Sequence, residues 1–334
     1  MPDKNRQILL RRRPKGWVTP DCFELVEAEL PKPGPGEAVV RVHYLSVDPY
    51  MRGMMDDAKS YAAPAKLNEP MPGEGVGEVI AANDASLQPG QFVLGDFGWR
   101  THGLARARDL IPIDPARAPV TAWLGPLGMI GATAWIGLMH IGQPRKGETV
   151  VVSAAAGAVG SLVGQLARDA GCRAVGIAGA AEKCGFVTGE LGFDAAVDYK
   201  SDRFVDQLAA ATPDGIDVYF ENVGGAVFDA VLPRLNRFAR VPVCGLISRY
   251  NTPEPRPIRD ARPFLVNRIR YEGFICTDRM NLWPKAHEAF GRMIAEHRLV
   301  WRETVAQGIE NAPAAFISML KGGNTGKQLV KLVP

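Results

Sequence analysis

The chain of 334 residues is long enough for two domains, each with a core of its own. With 46% hydrophobic and 22% charged residues it has an ordinary globular composition, and a net charge of +3 gives no reason to expect nucleic acid or a membrane surface as partner. No apolar stretch approaches a membrane span. The basic run from Lys4 to Lys15 is not followed by the apolar segment of a secretory signal, so it is expected to be a solvated edge, with a mitochondrial address as the weaker alternative. Cys22, Cys172, Cys184, Cys244 and Cys276 stand singly, without metal-ligand spacing. That predicts buried thiols, no bound metal and a cytoplasmic protein.

Residues 1 to about 125 are predicted to be mostly β, with strands near 22–29, 38–47, 77–82 and 91–94. In the second of these, Val40, Val42 and Tyr44 alternate with Arg41 and His43, the period of a half-buried strand. Pro-Gly signals at Lys32–Gly36 and Gln88–Gly90 mark turns, and short strands separated in this way suggest a barrel-like domain. Val47-Asp-Pro-Tyr-Met-Arg52 lies between two of them and leads into a polar loop, 56–72, long enough to serve as a lid. Taken alone, Tyr50 and Arg52 are equally well read as a packing residue and a surface charge.

Apolar residues at helical spacing over 124–141 and a Gly-Pro-Gly junction at 142–147 mark the change of domain. Strands near 149–153, 173–178, 195–198, 216–221, 239–246 and 271–276 then alternate with helices at 158–170, 182–191, 203–211 and 225–235. This pattern argues a doubly wound parallel sheet of Rossmann type. A further helix is expected over 283–297, and the tail from Val300 reads as extended chain rejoining the first domain. The resulting α/β architecture has a mostly β, barrel-like domain at 1–125 and 300–334, and a cofactor-binding domain at 126–299.

The stretch from Thr149 to Ala178 reads as strand, glycine turn, helix and strand. Ala154, Gly157, Ala158, Val159 and Gly160 form a turn whose small residues let main-chain amides approach a pyrophosphate at a helix N-terminus. A tight turn that binds nothing is the alternative. Where an NAD-specific unit places an acid at the end of the second strand, this chain has Gly179. Lys183 follows one helical turn later, and Tyr199-Lys200 follows the third strand, a combination that favours NADP over NAD. Singly, each lysine also reads as a solvated charge. Asn222 ends the fourth parallel strand, placed to contact the nicotinamide ribose, and Tyr250 follows the fifth, where a phenol could hydrogen-bond a carbonyl or simply pack.

Eight segments together resemble one family: VDPYMRG (47–53), DAKSYAAP (57–64), GMIGATAW (128–135), AAAGAVGS (154–161), FENVGG (220–225), CGLISRYN (244–251), EGFIC (272–276) and GNTGKQLVK (323–331). It is the zinc-free branch of the medium-chain dehydrogenase/reductase superfamily, comprising prostaglandin reductases, plant double-bond reductases and bacterial curcumin-reductase-like proteins. The resemblance implies a GroES-like barrel beside a Rossmann domain, a homodimer, and NADPH-dependent reduction of a small α,β-unsaturated ketone or aldehyde. It also implies a phosphate turn at Gly157 and Gly160, a 2′-phosphate lysine at Lys183, and further cofactor contacts at Tyr199, Asn222, Ser248, Phe274 and Asn324. The active-site tyrosine falls on Tyr250, with Tyr50 near the substrate. The Cys/His/Glu set and four-cysteine lobe of the zinc-dependent branch are not present in this sequence. Arg249 and Glu74 depart from the family pattern at positions that bear on substrate choice. A quinone reductase of the same superfamily and a non-catalytic NADPH-binding sensor are the rival readings.

Overall fold

The computed structural model describes residues 4–252 and 257–333. The chain divides into two compact units, the first built from residues up to Gly125 and from Glu303 on, the second from Pro126–Arg302. The first unit contains β1 (Asn5–Leu10), β2 (Phe23–Ala28), β3 (Glu37–Ser46), β4 (Glu74–Ala82), β5 (Phe92–Asp96), β6 (His102–Arg106) and β7 (Ile111–Pro112). The second contains β8 (Thr149–Ser153), β9 (Arg173–Ala178), β10 (Ala195–Asp198), β11 (Ile216–Phe220), β12 (Leu235–Val243) and β13 (Arg270–Gly273). The chain then returns to the first unit for β14 (Glu303–Gln307) and β15 (Lys327–Lys331).

In the first unit a mixed sheet runs in the order β14-β15-β3-β4-β5-β7, with β6 also pairing with β3. The β14–β15 pair is parallel and the other pairs are antiparallel. The basic N-terminal run is not a solvated edge. Asn5–Leu10 forms a strand antiparallel to Phe23–Ala28, and Ile8 and Leu10 enter the core with Met51, Met71, Trp99 and Phe316. The flanking arginines conceal this in the sequence, because only every second residue of a short edge strand needs to be apolar. Trp99 organises that core, stacked on Phe23 at 5.6 Å and meeting Phe316 edge-on at 5.7 Å.

The tail also departs from its extended reading. Residues Ala312–Leu320 form a helix that buries Ala312, Ala315, Phe316, Met319 and Leu320, the i, i+3, i+4, i+7, i+8 stripe of an amphipathic helix. Its signals were present: Pro313 in the first turn, and Gly322 and Gly323 just past the end. The polar loop 56–72 is anchored over its second half. There Ala65 N donates to Met54 O at 2.7 Å, and Arg13 donates to the carbonyls of Met55 and Ala65 at 2.9 and 3.1 Å. Residues 57–61 of that loop are exposed.

In the second unit six parallel strands follow the order β10-β9-β8-β11-β12-β13. Their direction of progression reverses between β8 and β11, the point outside whose carboxyl ends a doubly wound sheet binds ligands. β8 is buried along its whole length, which is why it reads as a continuous apolar run. Helices Ala158–Asp169, Ala181–Gly189, Phe204–Ala211 and Gly225–Val231 follow the first four strands of the unit. The last of these stops sooner than its apolar pattern suggests, because Pro233 ends it in a short 3₁₀ turn and β12 begins at Leu235. The helical spacing over 124–141 is broken too: a helix at Met129–Trp135 passes into a π-helical turn at Ile136–Gly142. All five cysteines are free, and no helix of the described residues is long and apolar enough to cross a membrane.

Candidate active site

The turn after β8 brings main chain against main chain. Ala154 adopts a left-handed φ of 50°, Gly157 N donates to Ala154 O at 2.9 Å, and Gly157 caps the helix Ala158–Asp169. A Cβ on Gly160 would lie 2.3 Å from the Ala154 carbonyl oxygen, a contact that only glycine avoids. The amides of Ala158, Val159 and Gly160 open that helix and have no partner four residues back within it. Closely approached backbone with outward N–H groups suits the pyrophosphate of a dinucleotide.

Past β9 the backbone is strained. Ala180 holds φ 102°, and its N–H donates to Asp198 Oδ1 at 3.0 Å, as does Lys200 N at 2.9 Å. Asp198, at the end of β10, is thus engaged by main chain, a role its sequence position did not reveal. A Cβ on Gly179 would come within 2.6 Å of the Tyr199 ring, so the missing side chain is what lets that ring lie over the strand end. Burial, and after it the charge of Lys200, holds Lys183 below the usual lysine pKa. Two ammonium groups within each other's field, with the neighbouring carboxylate occupied, fit a 2′-phosphate better than a free ribose hydroxyl pair.

At the ends of β11 and β12, Asn222 Nδ2 donates to Ser153 O at 2.7 Å and Asn222 N donates to Ser153 Oγ at 2.8 Å. Ser248 bridges back to Val223 O through its hydroxyl at 2.6 Å. Tyr250 sits in the same cluster: a Cβ built on Gly245 would lie 3.3 Å from Tyr250 Oη and 3.5 Å from Asn222 O. Burial first, then Cys244, pushes the Tyr250 phenol up from its ordinary pKa, against a main-chain hydrogen bond at Leu246. It stays protonated and able to donate. Phe274 is placed differently from an exposed contact residue; it is 7% exposed and meets Phe220 edge-on at 6.3 Å.

Tyr50 and Asn324 belong to the first unit. Tyr50 is half-buried, and burial followed by Asp48, Glu74 and Asp96 raises its pKa far above a free phenol. Asp48 is buried with Lys327, whose Nζ donates to Asp48 Oδ1 and Val47 O, both at 2.9 Å. Asn324 Nδ2 donates to Gly326 O at 2.8 Å. Arg52 is buried, bonding Asp56 at 2.8 Å and Gly16 O at 3.0 Å, so it holds the local chain together. Among the described residues no group of three or more His, Cys, Asp or Glu side chains is assembled that could hold a metal ion.

Glu74 faces Asp96 across the β4–β5 ladder. Burial pushes its pKa up to about 7, Asp48 and Asp96 add to the shift, and Lys327 opposes it. Folded Glu74 therefore keeps its proton through a range in which the unfolded chain, near its ordinary 4.5, has released it. The native state binds more protons there, so stability should fall as pH rises from about 4.5 to about 7. Glu74→Gln should remove that loss, and thermal melts of both proteins across this range test it. Parallel pH profiles of the two proteins would show that folding does not raise the pKa of the Glu74 carboxyl.

A family model described as the N-terminal domain of oxidoreductase matches residues 6–113, and one described as zinc-binding dehydrogenase matches residues 158–292. The chain is 45% identical to the NADPH-dependent curcumin reductase of Escherichia coli (strain K12), over 98% of its own length and 97% of that protein's. It is 39% identical to a 2-alkenal reductase (NADP(+)-dependent) of Nicotiana tabacum, covering 98% of this chain and 97% of the other. The crystal structure of CurA from Vibrio vulnificus in complex with NADPH superposes with a TM-score of 0.94 at 44% identity, covering 98% and 99% of the two chains.

Proposed function

Since the chain belongs to the NADP-dependent medium-chain dehydrogenase/reductase family, we propose that it reduces the carbon–carbon double bond of α,β-unsaturated ketones and aldehydes with NADPH. The observation that carries this reading is the placement of Tyr250, a protonated phenol beside Gly245 and Asn222 at the strand ends where the sheet binds ligands. The substrate class is supported by full-length relatives that reduce curcumin and 2-alkenals.

In this reading the helix N-terminus after Gly157 holds the pyrophosphate, and Lys183, Tyr199 and Lys200 hold the 2′-phosphate beside Gly179. Asn222 holds the nicotinamide ribose, with Ser248 and Phe274 completing the contacts. When bound, the cofactor supplies hydride to the β-carbon of the substrate. Tyr250 donates its O–H to the substrate carbonyl oxygen, whose negative charge grows as the enolate forms. A donor aimed at that oxygen stabilises the transition state more than the ground state. The α-carbon then takes its proton from water.

Two substitutions separate chemistry from binding. Tyr250→Phe keeps the ring and removes the donor, so enone turnover should fall at least about tenfold while NADPH affinity stays near wild type. Lys183→Ala removes a charge-assisted contact and should raise the KM for NADPH by about ten- to a hundredfold, with little change for NADH. Wild-type turnover in the Phe variant would return Tyr250 to a packing role. Equal use of NADH and NADPH by the unmodified protein would remove the phosphate pocket.

We also propose a homodimer formed through β13. This strand ends the six-stranded sheet, and Phe238, Leu265, Val266, Tyr271 and Met280 of the surrounding segments are 60, 80, 45, 40 and 60% exposed. An open sheet edge flanked by apolar side chains is the kind of surface that a second copy covers. Light scattering should give about twice the 36.1 kDa of one chain at micromolar concentration. A mass of one chain would rule the dimer out.

A further inference from the structure

Glu221 is fully buried at the end of β11, and among the described residues no ion pair reaches it. Its Oε1 alone accepts three hydrogen bonds: from Ser153 Oγ at 3.0 Å, Tyr219 Oη at 3.0 Å and Val223 N at 2.7 Å. Its Oε2 has no hydrogen-bond partner. Burial pushes its pKa up and the donors pull it back, with burial ahead. A carboxyl in this position is costly, and an apolar side chain would satisfy a core more cheaply.

What the carboxyl gains is a directed chain of hydrogen bonds. Ser153 Oγ donates to Glu221 Oε1 at 3.0 Å, with Phe220 O a longer acceptor at 3.3 Å, and it accepts from Asn222 N at 2.8 Å. Asn222 Nδ2 closes the loop on Ser153 O at 2.7 Å. The backbone of Glu221 joins a third strand to the same point, since its carbonyl accepts Cys244 N at 2.9 Å and Gly245 N at 3.2 Å. One residue therefore ties together the ends of β8, β11 and β12, with Asn222 held between them.

We propose that Ser153 and Glu221 are paired positioning residues that fix Asn222 for the nicotinamide ribose, a role that rests on the reading of Asn222 as a cofactor contact. Without the pair Asn222 keeps its place in the chain but loses its orientation, so the nicotinamide half of the cofactor is held less well and the adenosine half is unaffected.

Equilibrium binding of NADPH and of 2′,5′-ADP, which lacks the nicotinamide half, tests this without reference to turnover. Ser153→Ala and Glu221→Leu should each weaken NADPH by about five- to tenfold, the scale of a lost hydrogen bond, and leave 2′,5′-ADP within about twofold. Glu221→Gln keeps an acceptor oxygen and should recover most of the NADPH affinity. Equal weakening of both ligands would reduce the pair to a general structural role and overturn the proposal. So would unchanged NADPH affinity, or a Gln variant as weak as the Leu variant. Should Glu221→Leu fail to fold, Ser153→Ala decides, since it removes only a hydroxyl. Asn222→Ala separates the two layers: if it leaves NADPH affinity unchanged, the cofactor reading of Asn222 fails and the proposal with it. If it weakens NADPH while Ser153→Ala does not, the positioning role fails alone.

Discussion

The helix Ala158–Asp169 can start where it does because Gly160 has no side chain: a Cβ there would stand 2.3 Å from the carbonyl oxygen of Ala154. That close approach directs the helix N-terminus at the carboxyl end of β8 and leaves its first amides for a ligand instead of for the chain. The cofactor side of the molecule is organised around this point. β9 and β11 flank β8, so Gly179 and Asn222 end the neighbouring strands. The reversal in strand order places Ser153 and Asn222 within hydrogen-bonding distance without a longer connection.

Charge handling differs between the two units. In the second, Lys183 feels burial, Lys200 and, in opposition, Glu182, while Asp198 is committed to the amides of Ala180 and Lys200. In the first, Asp48, Glu74 and Asp96 crowd a region where Lys327 is the opposing cation affecting Glu74. Burial first, and these carboxylates after it, keep Glu74 protonated towards neutrality and raise the pKa of the Tyr50 phenol. Tyr250 keeps its proton for the same leading reason, burial, with Cys244 rather than a carboxylate adding to it.

Much of this was legible in the sequence where a single local rule decides the outcome. β8 reads as a strand because both of its faces are buried, and the glycine turn reads from its spacing. What escaped depends on distant partners. β1 is visible only once Phe23–Ala28 is there to pair with it, because Arg6 and Gln7 interrupt its apolar pattern. The helix Ala312–Leu320 carried its punctuation openly, but its apolar stripe was masked by the mixed tail around it. Asp198, Ser153 and Glu221 act through hydrogen bonds to segments 18 to 69 residues away, which no spacing rule in one strand would find. Phe274 was read from a motif as a cofactor contact, and the fold shows how much of it serves the core.

Hydride delivery to the β-carbon rather than to the carbonyl carbon leaves a distinct isotope pattern in the product. An enone is reduced with NADPH deuterated at nicotinamide C4, on each face in turn, and the product is read by NMR. The account predicts a saturated ketone with deuterium on the former β-carbon from one of the two labelled cofactors and a solvent-derived hydrogen on the α-carbon. Deuterium on the carbinol carbon of an allylic alcohol, or no oxidation of NADPH by any enone, would contradict it.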